Sequence, residues 1–130
     1  MNSLIDTNVL SEFMRPKPSP KVMAWAKTQT QFQLSVITVE EIYYGLSWKP
    51  NTRVKSWFEN FLRNYADVLS ITPEIAKAAG ELRGNFQQQG DNRSQADMLI
   101  AATALGHKLV VVTRNEKDFA GCGVKVLNPW

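Results

Sequence analysis

Cysteine and histidine are almost absent from this 130-residue sequence, which contains only Cys122 and His107. A single cysteine cannot form an internal disulfide, so the chain suits a reducing compartment, and we expect it in the cytoplasm. Two such residues are also too few for the Cys/His clusters that bind zinc. His107 follows Gly106 at a predicted helix end, where a histidine typically caps the helix or lies on the surface.

Long apolar runs are missing as well. No stretch approaches the ~20 apolar residues of a membrane-spanning helix, and Asp6 interrupts the segment where the apolar part of a signal peptide would lie. We therefore expect neither a membrane anchor nor a secretion signal. The glycine patterns of P-loop and dinucleotide-binding proteins are absent too, which argues against both classes of enzyme.

The composition that remains is that of an ordinary globular protein with a basic surplus. Apolar residues make up 44% of the chain and charged residues 21%, and 130 residues suffice for one domain with its own core. The net charge is +3. Because lysines and arginines are spread along the sequence, this surplus fits either a polyanionic partner or a merely solvated surface.

Predicted strands and helices alternate along the chain. Apolar runs predict strands at residues 3–5, 32–38, 68–71, 109–113 and 124–127. Helical spacing of apolar residues predicts a first helix that stops before the proline-rich segment 15–20, and further helices at 21–27, 38–44, 54–65, 73–86 and 98–105, with Thr38 as a cap. This alternation indicates an α/β fold, a parallel sheet with helices on both faces.

Acidic residues follow the predicted strands on several segments. In a sheet of this class, ligands bind beyond the carboxyl ends of the strands, where the order of winding reverses. Asp6 follows the first strand directly, and Asp97 lies in the first turn of the apolar helix. The other polar candidates are Glu40 and Glu41 after the second strand, and Thr113, Asn115 and Asp118 after the fourth. Carboxylates from four segments can therefore reach one edge of the sheet.

Each acid also has a local explanation when it is taken alone. Asp6 can cap the first helix, and Ser94 with Asp97 matches a capping box. Glu41 can be an exposed helix residue, and Asp118 a turn residue. The joint placement of these acids, rather than any single one of them, favours a shared site.

The same segments resemble a known family, the PIN-domain ribonucleases of the VapC toxin type. "LIDTNVLSEF" resembles the first motif of that family, "TVEEIYYGL" the second and "QADMLIAATAL" the third, while "VVTRNEKDF" and "VKVLNPW" resemble its closing segment. The resemblance spans nearly the whole chain in the expected order, although residues 49–89 match mainly in pattern. It implies one PIN domain over residues 1–130, with a three-layer α/β/α architecture.

The resemblance implies a catalytic quartet and a set of supporting residues. The quartet is Asp6, Glu41, Asp97 and Asp118, of which Asp6, Asp97 and Asp118 are the implied metal ligands. Glu40 is left out, because the family places its acid directly before an apolar-aromatic-aromatic-Gly stretch, here residues 42–45. The supporting residues are Asn8, Thr113 and Asn115. Since many relatives carry an aspartate near Asn115, it stays open whether Asn115 or Asp118 reaches the metal.

A divalent cation, Mg²⁺ or Mn²⁺, is the implied cofactor. Clustered carboxylates repel one another unless a cation balances them, and oxygen ligands suit hard cations. Such an ion activates a water for in-line attack on a phosphodiester, which leaves a 5′-phosphate and a 3′-hydroxyl. The other route to RNA cleavage uses two histidines on the 2′-hydroxyl, and this chain has only His107.

The resemblance also implies RNA, an antitoxin and a second copy of the chain as partners. We expect a metal-dependent endoribonuclease toxin that cuts transfer RNA and forms a homodimer. A VapB-type antitoxin would lay its C-terminal segment in an apolar groove of the toxin. Residues that would line such a groove, or equally well pack in the core, are Tyr43, Tyr44, Trp48 and Trp57. Candidates for phosphate contacts are Arg15, Lys17, Lys21, Arg93 and Arg114.

Other functions on similar folds fit less well. A haloacid-dehalogenase phosphatase needs a second aspartate two residues after the first, where Asn8 stands. A receiver domain needs an aspartate at the end of a middle strand, where the sequence has Ile71 and Thr72. The alternative that stays open is a binding module for RNA or protein whose acidic metal site is structural or vestigial.

Overall fold

The computed structural model describes residues 2–130 and contains alternating strands and helices. The strands are β1 (Ser3–Ile5), β2 (Phe32–Ser35), β3 (Ala66–Leu69), β4 (Val110–Val112) and β5 (Val126–Leu127). The helices are α1 (Thr7–Phe13), α2 (Pro20–Ala26), α3 (Val36–Trp48), α4 (Thr52–Asn64), α5 (Pro73–Gln88) and α6 (Gln95–His107). A short 3₁₀ helix, Glu116–Phe119, lies between β4 and β5.

The five strands form one parallel sheet in the order β3-β2-β1-β4-β5. The chain winds outward from β1 through β2 to β3, and the later strands β4 and β5 lie on the other side of β1. The reversal of winding therefore falls between β1 and β4, whose register pairs Ile5 with Val112. This register places Asp6 and Thr113, the next residues of the two strands, side by side at the carboxyl edge.

Helices cover both faces of the sheet, which confirms the predicted α/β class. Neighbouring residues of β1 point to opposite faces, so Leu4 belongs to the core cluster under α5 and α6, whereas Ile5 belongs to the cluster under α1, α2 and α4. Helix α6 is almost entirely apolar, and its residues from Ile100 to Ala104 are all buried. It lies centrally in its layer, as its sequence predicts.

Several predicted boundaries were wrong. The strand expected at 32–38 ends at Ser35, because the Ser35 hydroxyl accepts a hydrogen bond from the Ile37 amide at 3.1 Å and so caps α3. Thr38 is therefore no cap but a buried residue inside the helix. Strand β3 begins two residues earlier than expected, since Ala66 pairs with Phe32 in the sheet.

Within residues 2–130, no helix is both long and apolar enough to cross a membrane.

Candidate active site

An open pocket of about 500 Å³ lies at the carboxyl edge of the sheet, where the winding reverses. Three of the four predicted catalytic acids line it, together with two predicted supporting residues and one predicted phosphate contact. The residues of this acidic pocket are Asp6, Thr7, Asn8, Ser11, Glu12, Arg15, Glu41, Asp97 and Asn115. Segments that lie far apart in sequence thus meet in one place.

Asp6 is held at the end of β1 by three hydrogen bonds. Its Oδ1 accepts from the Thr7 amide at 2.8 Å, so the residue caps α1. Its Oδ2 accepts from the Thr113 hydroxyl at 2.8 Å and from the Asn8 side chain at 3.2 Å. The same carboxylate therefore caps α1 and lines the pocket. Burial raises the pKa of Asp6, and the charges of Glu41 and Asp118 add to that rise, while the Thr113 and Thr7 hydrogen bonds oppose it.

Asn8 and Thr113 tie α1 to the loop after β4. The Asn8 amide nitrogen lies 3.1 Å from the Thr113 hydroxyl, and the Asn8 amide oxygen accepts from the Arg114 backbone at 3.2 Å. The Thr113 hydroxyl also accepts from the Asn115 backbone amide at 3.0 Å. These bonds fix the orientation of the Asp6 carboxylate and bring Asn115 to the pocket wall.

Glu41 reaches the pocket from the second turn of α3. The Thr7 hydroxyl donates to Glu41 Oε1 at 2.6 Å and lies 3.2 Å from the hydroxyl of Thr38, which is buried. Glu40, one residue earlier, is exposed and does not line the pocket. The geometry thus agrees with the choice of Glu41 over its neighbour.

Asp97 lies in the first turn of α6, half-buried at the pocket wall. Its backbone amide donates to the Ser94 hydroxyl at 3.0 Å, as expected for a helix capped by Ser94. Burial raises the pKa of the Asp97 carboxyl, and the negative charges of Asp6 and Asp118 raise it further. The capped first turn of α6 thus carries Asp97 to the pocket.

Asp118 stands slightly apart from the other three acids. It lies in the 3₁₀ helix and is half-buried, but it does not line the acidic pocket, whereas Asn115 does. Its charge nevertheless raises the pKa of both Asp6 and Asp97. Asp118 is thus an electrostatic neighbour at the rim of the site.

The chemistry of the pocket fits a hard divalent cation. Its donors are carboxylate, hydroxyl and amide oxygens, and burial with mutual repulsion makes the ionised acids costly until a cation balances them. In the described part of the chain, no three His, Cys, Asp or Glu side chains converge closely enough to form a complete metal site. Mg²⁺ commonly uses one or two protein carboxylates and keeps several waters, so its binding does not require a cluster of three such side chains.

Glu12 is a site residue that the sequence analysis missed. It is buried, with Oε2 accepting from the Ser19 amide at 2.7 Å and Oε1 bound to Arg15 at 3.3 Å. These contacts fold the proline-rich loop back against α1 and hold Arg15 at the pocket. Its position four residues after Asn8, on the same face of α1, was the only signal in the sequence. The pocket residues Thr7 and Ser11 were likewise not predicted.

The remaining basic candidates lie outside the lining of the acidic pocket. Lys17 and Lys21 are exposed, and Arg114 is exposed with its guanidinium 5.2 Å from the centre of the Trp130 ring. Arg93 has its partners within the chain. Its guanidinium donates to the Asp91 carboxylate and to the backbone oxygens of Asp118 and Ala120.

Comparison with known proteins agrees with this geometry. A family model described as PIN domain matches residues 3–123. The VapC ribonuclease Y4jK of Sinorhizobium fredii is 32% identical to this chain, over 98% of the chain and 96% of the relative. The tRNA(fMet)-specific endonuclease VapC of Shigella flexneri is 26% identical, over 98% and 96%.

Solved structures show the same architecture. The crystal structure of FitAcB from Neisseria gonorrhoeae superposes with a TM-score of 0.83 at 32% identity, covering 98% of each chain. A toxin-antitoxin complex from Klebsiella pneumoniae superposes with a TM-score of 0.78 at 25% identity, covering 99% of this chain and 98% of the other. Together with the matching family model and the acids gathered at the carboxyl edge, these likenesses show that the chain belongs to the PIN-domain ribonucleases of the VapC toxin type.

Proposed function

We propose that the protein is a divalent-metal-dependent endoribonuclease, the toxin of a toxin-antitoxin pair, which hydrolyses phosphodiester bonds of transfer RNA. The observation that carries this proposal is the meeting of Asp6, Glu41 and Asp97 in one open pocket at the carboxyl edge of the sheet. The pocket is shaped by oxygen donors, and it is wide enough for a phosphate with its hydration.

Each residue has a distinct part in this proposal. Asp6 and Asp97 would hold Mg²⁺ or Mn²⁺, and Thr113 with Asn8 keeps the Asp6 carboxylate in place. A bound divalent ion would lower the pKa of a coordinated water and balance the charge that develops on the phosphate. Glu41, itself oriented by the Thr7 hydroxyl, is placed to accept a proton from the attacking water. Asp118 and Asn115 complete the rim of the site.

The test is RNA cleavage by the purified protein with and without Mg²⁺ or Mn²⁺. We expect cleavage of structured RNA only with the metal, products with 5′-phosphate ends, and loss of activity in Asp6→Asn and Asp97→Asn. RNA binding without metal-dependent cleavage would instead support the alternative, a binding module whose acidic site is structural or vestigial.

Transfer RNA is proposed as substrate on the strength of relatives. One relative that aligns over 98% of the chain is named a tRNA(fMet)-specific endonuclease. Sequencing the 5′ ends of RNA fragments after brief expression identifies the substrate directly. Cleavage sites that accumulate in another class of RNA would overturn this part of the proposal.

An antitoxin is the proposed protein partner, and an apolar groove offers a place for it. The groove has a volume of about 470 Å³ between α1, α2 and α4 and is lined by Phe13, Met23, Phe32, Trp57 and Phe61, among others. Of the four aromatic residues expected at such a surface, Trp57 lies in this groove. Tyr43 packs on Phe58, while Tyr44 and Trp48 are exposed on α3.

Co-purification tests the proposed assembly. A tagged chain expressed with its neighbouring genes should retain a small companion protein, and the complex should contain two copies of the toxin. Purification of the chain alone, as a monomer, from such a host would contradict both parts of this proposal.

A further inference from the structure

A small cleft adjoins the acidic pocket between α1, α3 and α4. Its volume is about 240 Å³. It shares the side chains of Thr7, Ser11 and Glu41 with the acidic pocket, so the two spaces meet along one polar border. The rest of its wall is mostly apolar, and that wall includes Met14 and Val54.

Gly45 lies on the wall of this cleft. It follows Glu41 by one helical turn on the same face of α3, and a Cβ built on it meets no heavy atom within 4 Å. Glycine is less favourable than alanine inside a helix. Neither a positive φ nor a close contact requires glycine here, so a larger side chain at this position would project into free space at the cleft.

The size and chemistry of the cleft suit one flat ring system. The space is many times the ~30 Å³ share of a water molecule, yet it is smaller than the ~300–1,000 Å³ typical of pockets that enclose a whole small ligand. The wall offers apolar contact from Ile42 and Leu46, and the border offers the Ser11 hydroxyl for a hydrogen bond. Extruded nucleic-acid bases are held between apolar side chains and read by hydrogen bonds to their edges, and this cleft offers both kinds of contact.

Basic side chains flank the two spaces. Arg15 lines the acidic pocket, where Glu12 holds it. On the cleft side, the Arg53 guanidinium donates to the backbone oxygen of Met14 at 3.2 Å. Cations at both ends fit a polyanionic strand that crosses from the pocket to the cleft.

We propose that this cleft, floored by Gly45, is a subsite for an unpaired RNA base next to the bond that is cut. The inference rests on the proposed ribonuclease function and adds a specificity determinant to it. A base in the cleft cannot be paired, so cleavage falls in single-stranded loops, and the cleft sets which base is preferred at that position.

Gly45→Leu tests the subsite, because leucine would fill the cleft and is also a better helix former than glycine. Gly84→Leu is the matched control, since Gly84 is an α5 helix residue whose Cβ would likewise meet nothing within 4 Å, far from this cleft. The substrate is an RNA hairpin with a randomised loop, cut in the presence of Mg²⁺. The readouts are kcat/KM, the base frequencies around the cut, and thermal unfolding.

We expect Gly45→Leu to lower kcat/KM about tenfold or more and to change the preferred base beside the cut. Gly45→Ala should give a smaller change in the same direction, whereas Gly84→Leu should cut like the wild type. Neither α3 variant should unfold at a lower temperature than the wild type. The alanine variant, which adds a single methyl group to open space, keeps the test valid if the leucine variant does not fold.

If Gly45→Leu and Gly45→Ala both cut RNA with the rate and base preference of the wild type, the proposed subsite is wrong. The proposed ribonuclease function would still stand in that case, because the wild type cuts RNA. Loss of antitoxin binding with unchanged cleavage would also overturn the subsite, because the cleft would then serve a protein partner. Failure of the wild type to cut any RNA would remove the proposed function itself, and the subsite with it.

Discussion

The carboxylates of Asp6 and Asp97 are each held by the fold at an energetic disadvantage. Burial raises the pKa of both, and each is raised further by its acidic neighbours. Asp6 is partly compensated by hydrogen bonds from Thr113 and Thr7, which favour its ionised form. Hydrogen bonds thus fix the position of the carboxylate, while a cation could still balance its negative charge.

Glu41 and its exposed neighbour Glu40 allow a direct test of the catalytic role proposed for Glu41. Glu41→Gln keeps an oxygen that can accept from the Thr7 hydroxyl but removes the negative charge, so we expect cleavage to fall by about 10²-fold or more. Glu40→Gln changes the same side chain at an exposed position and should cut RNA like the wild type. Single-turnover rates at saturating Mg²⁺ measure both. Equal rates for the two variants would remove Glu41 from the catalytic set.

Among the elements, the short 3₁₀ helix depends on a residue outside it. The Arg93 guanidinium donates to the backbone oxygens of Asp118 at 3.2 Å and of Ala120 at 2.7 Å, and it lies 4.0 Å from the centre of the Phe86 ring. Its side chain is only 13% exposed. Arg93 thus fastens the segment that carries Asp118 to the start of α6, and we interpret it as a positioning residue rather than a phosphate contact.

Arg93→Ala should lower the free energy of unfolding by about 2–3 kcal/mol, because two backbone oxygens lose a charged donor. Arg93→Lys should recover only part of this loss, since one ammonium group does not reproduce the guanidinium fork. Urea denaturation measures both, with Arg83→Ala on the exposed side of α5 as control. If Arg93→Ala instead lost affinity for RNA at unchanged stability, Arg93 would have to be interpreted as a phosphate contact.

The sequence predicted best those elements whose type is evident from their own residues. Strand β4 is a run of valines and α6 is apolar all round, so neither depends on distant partners for its identification. The strand expected at 32–38 extended too far because its β-branched residues favour a strand, whereas the Ser35 cap starts a helix.

Glu12 was missed for a related reason. Its burial depends on the loop that returns Ser19 to it, which α1 alone does not reveal.

At the scale of the whole molecule, the strand order decides where the acidic site lies. The order β3-β2-β1-β4-β5 brings the ends of β1 and β4 together, and the acids gather there. One bound divalent cation adds two positive charges, so the net charge would rise from +3 to +5. This charge would favour the association of an RNA strand and make it salt-dependent.

Metal binding should therefore stabilise the whole fold in a pH-dependent way. The pKa values of Asp6 and Asp97 are raised above the ordinary 3.8, so without metal the folded chain holds their protons more tightly than the unfolded chain. Their contribution to stability is present at low pH and is lost as pH rises through the raised values.

At neutral pH, Mg²⁺ or Mn²⁺ at 100 times its Kd should add about 2.7 kcal/mol to the free energy of unfolding. This gain should disappear as pH falls through the raised pKa values, because protons then compete with the metal. Thermal unfolding with and without Mg²⁺ across this pH range measures the effect. Asp97→Asn should show little stabilisation by the metal at any pH, and an undiminished gain in that variant would place the cation elsewhere.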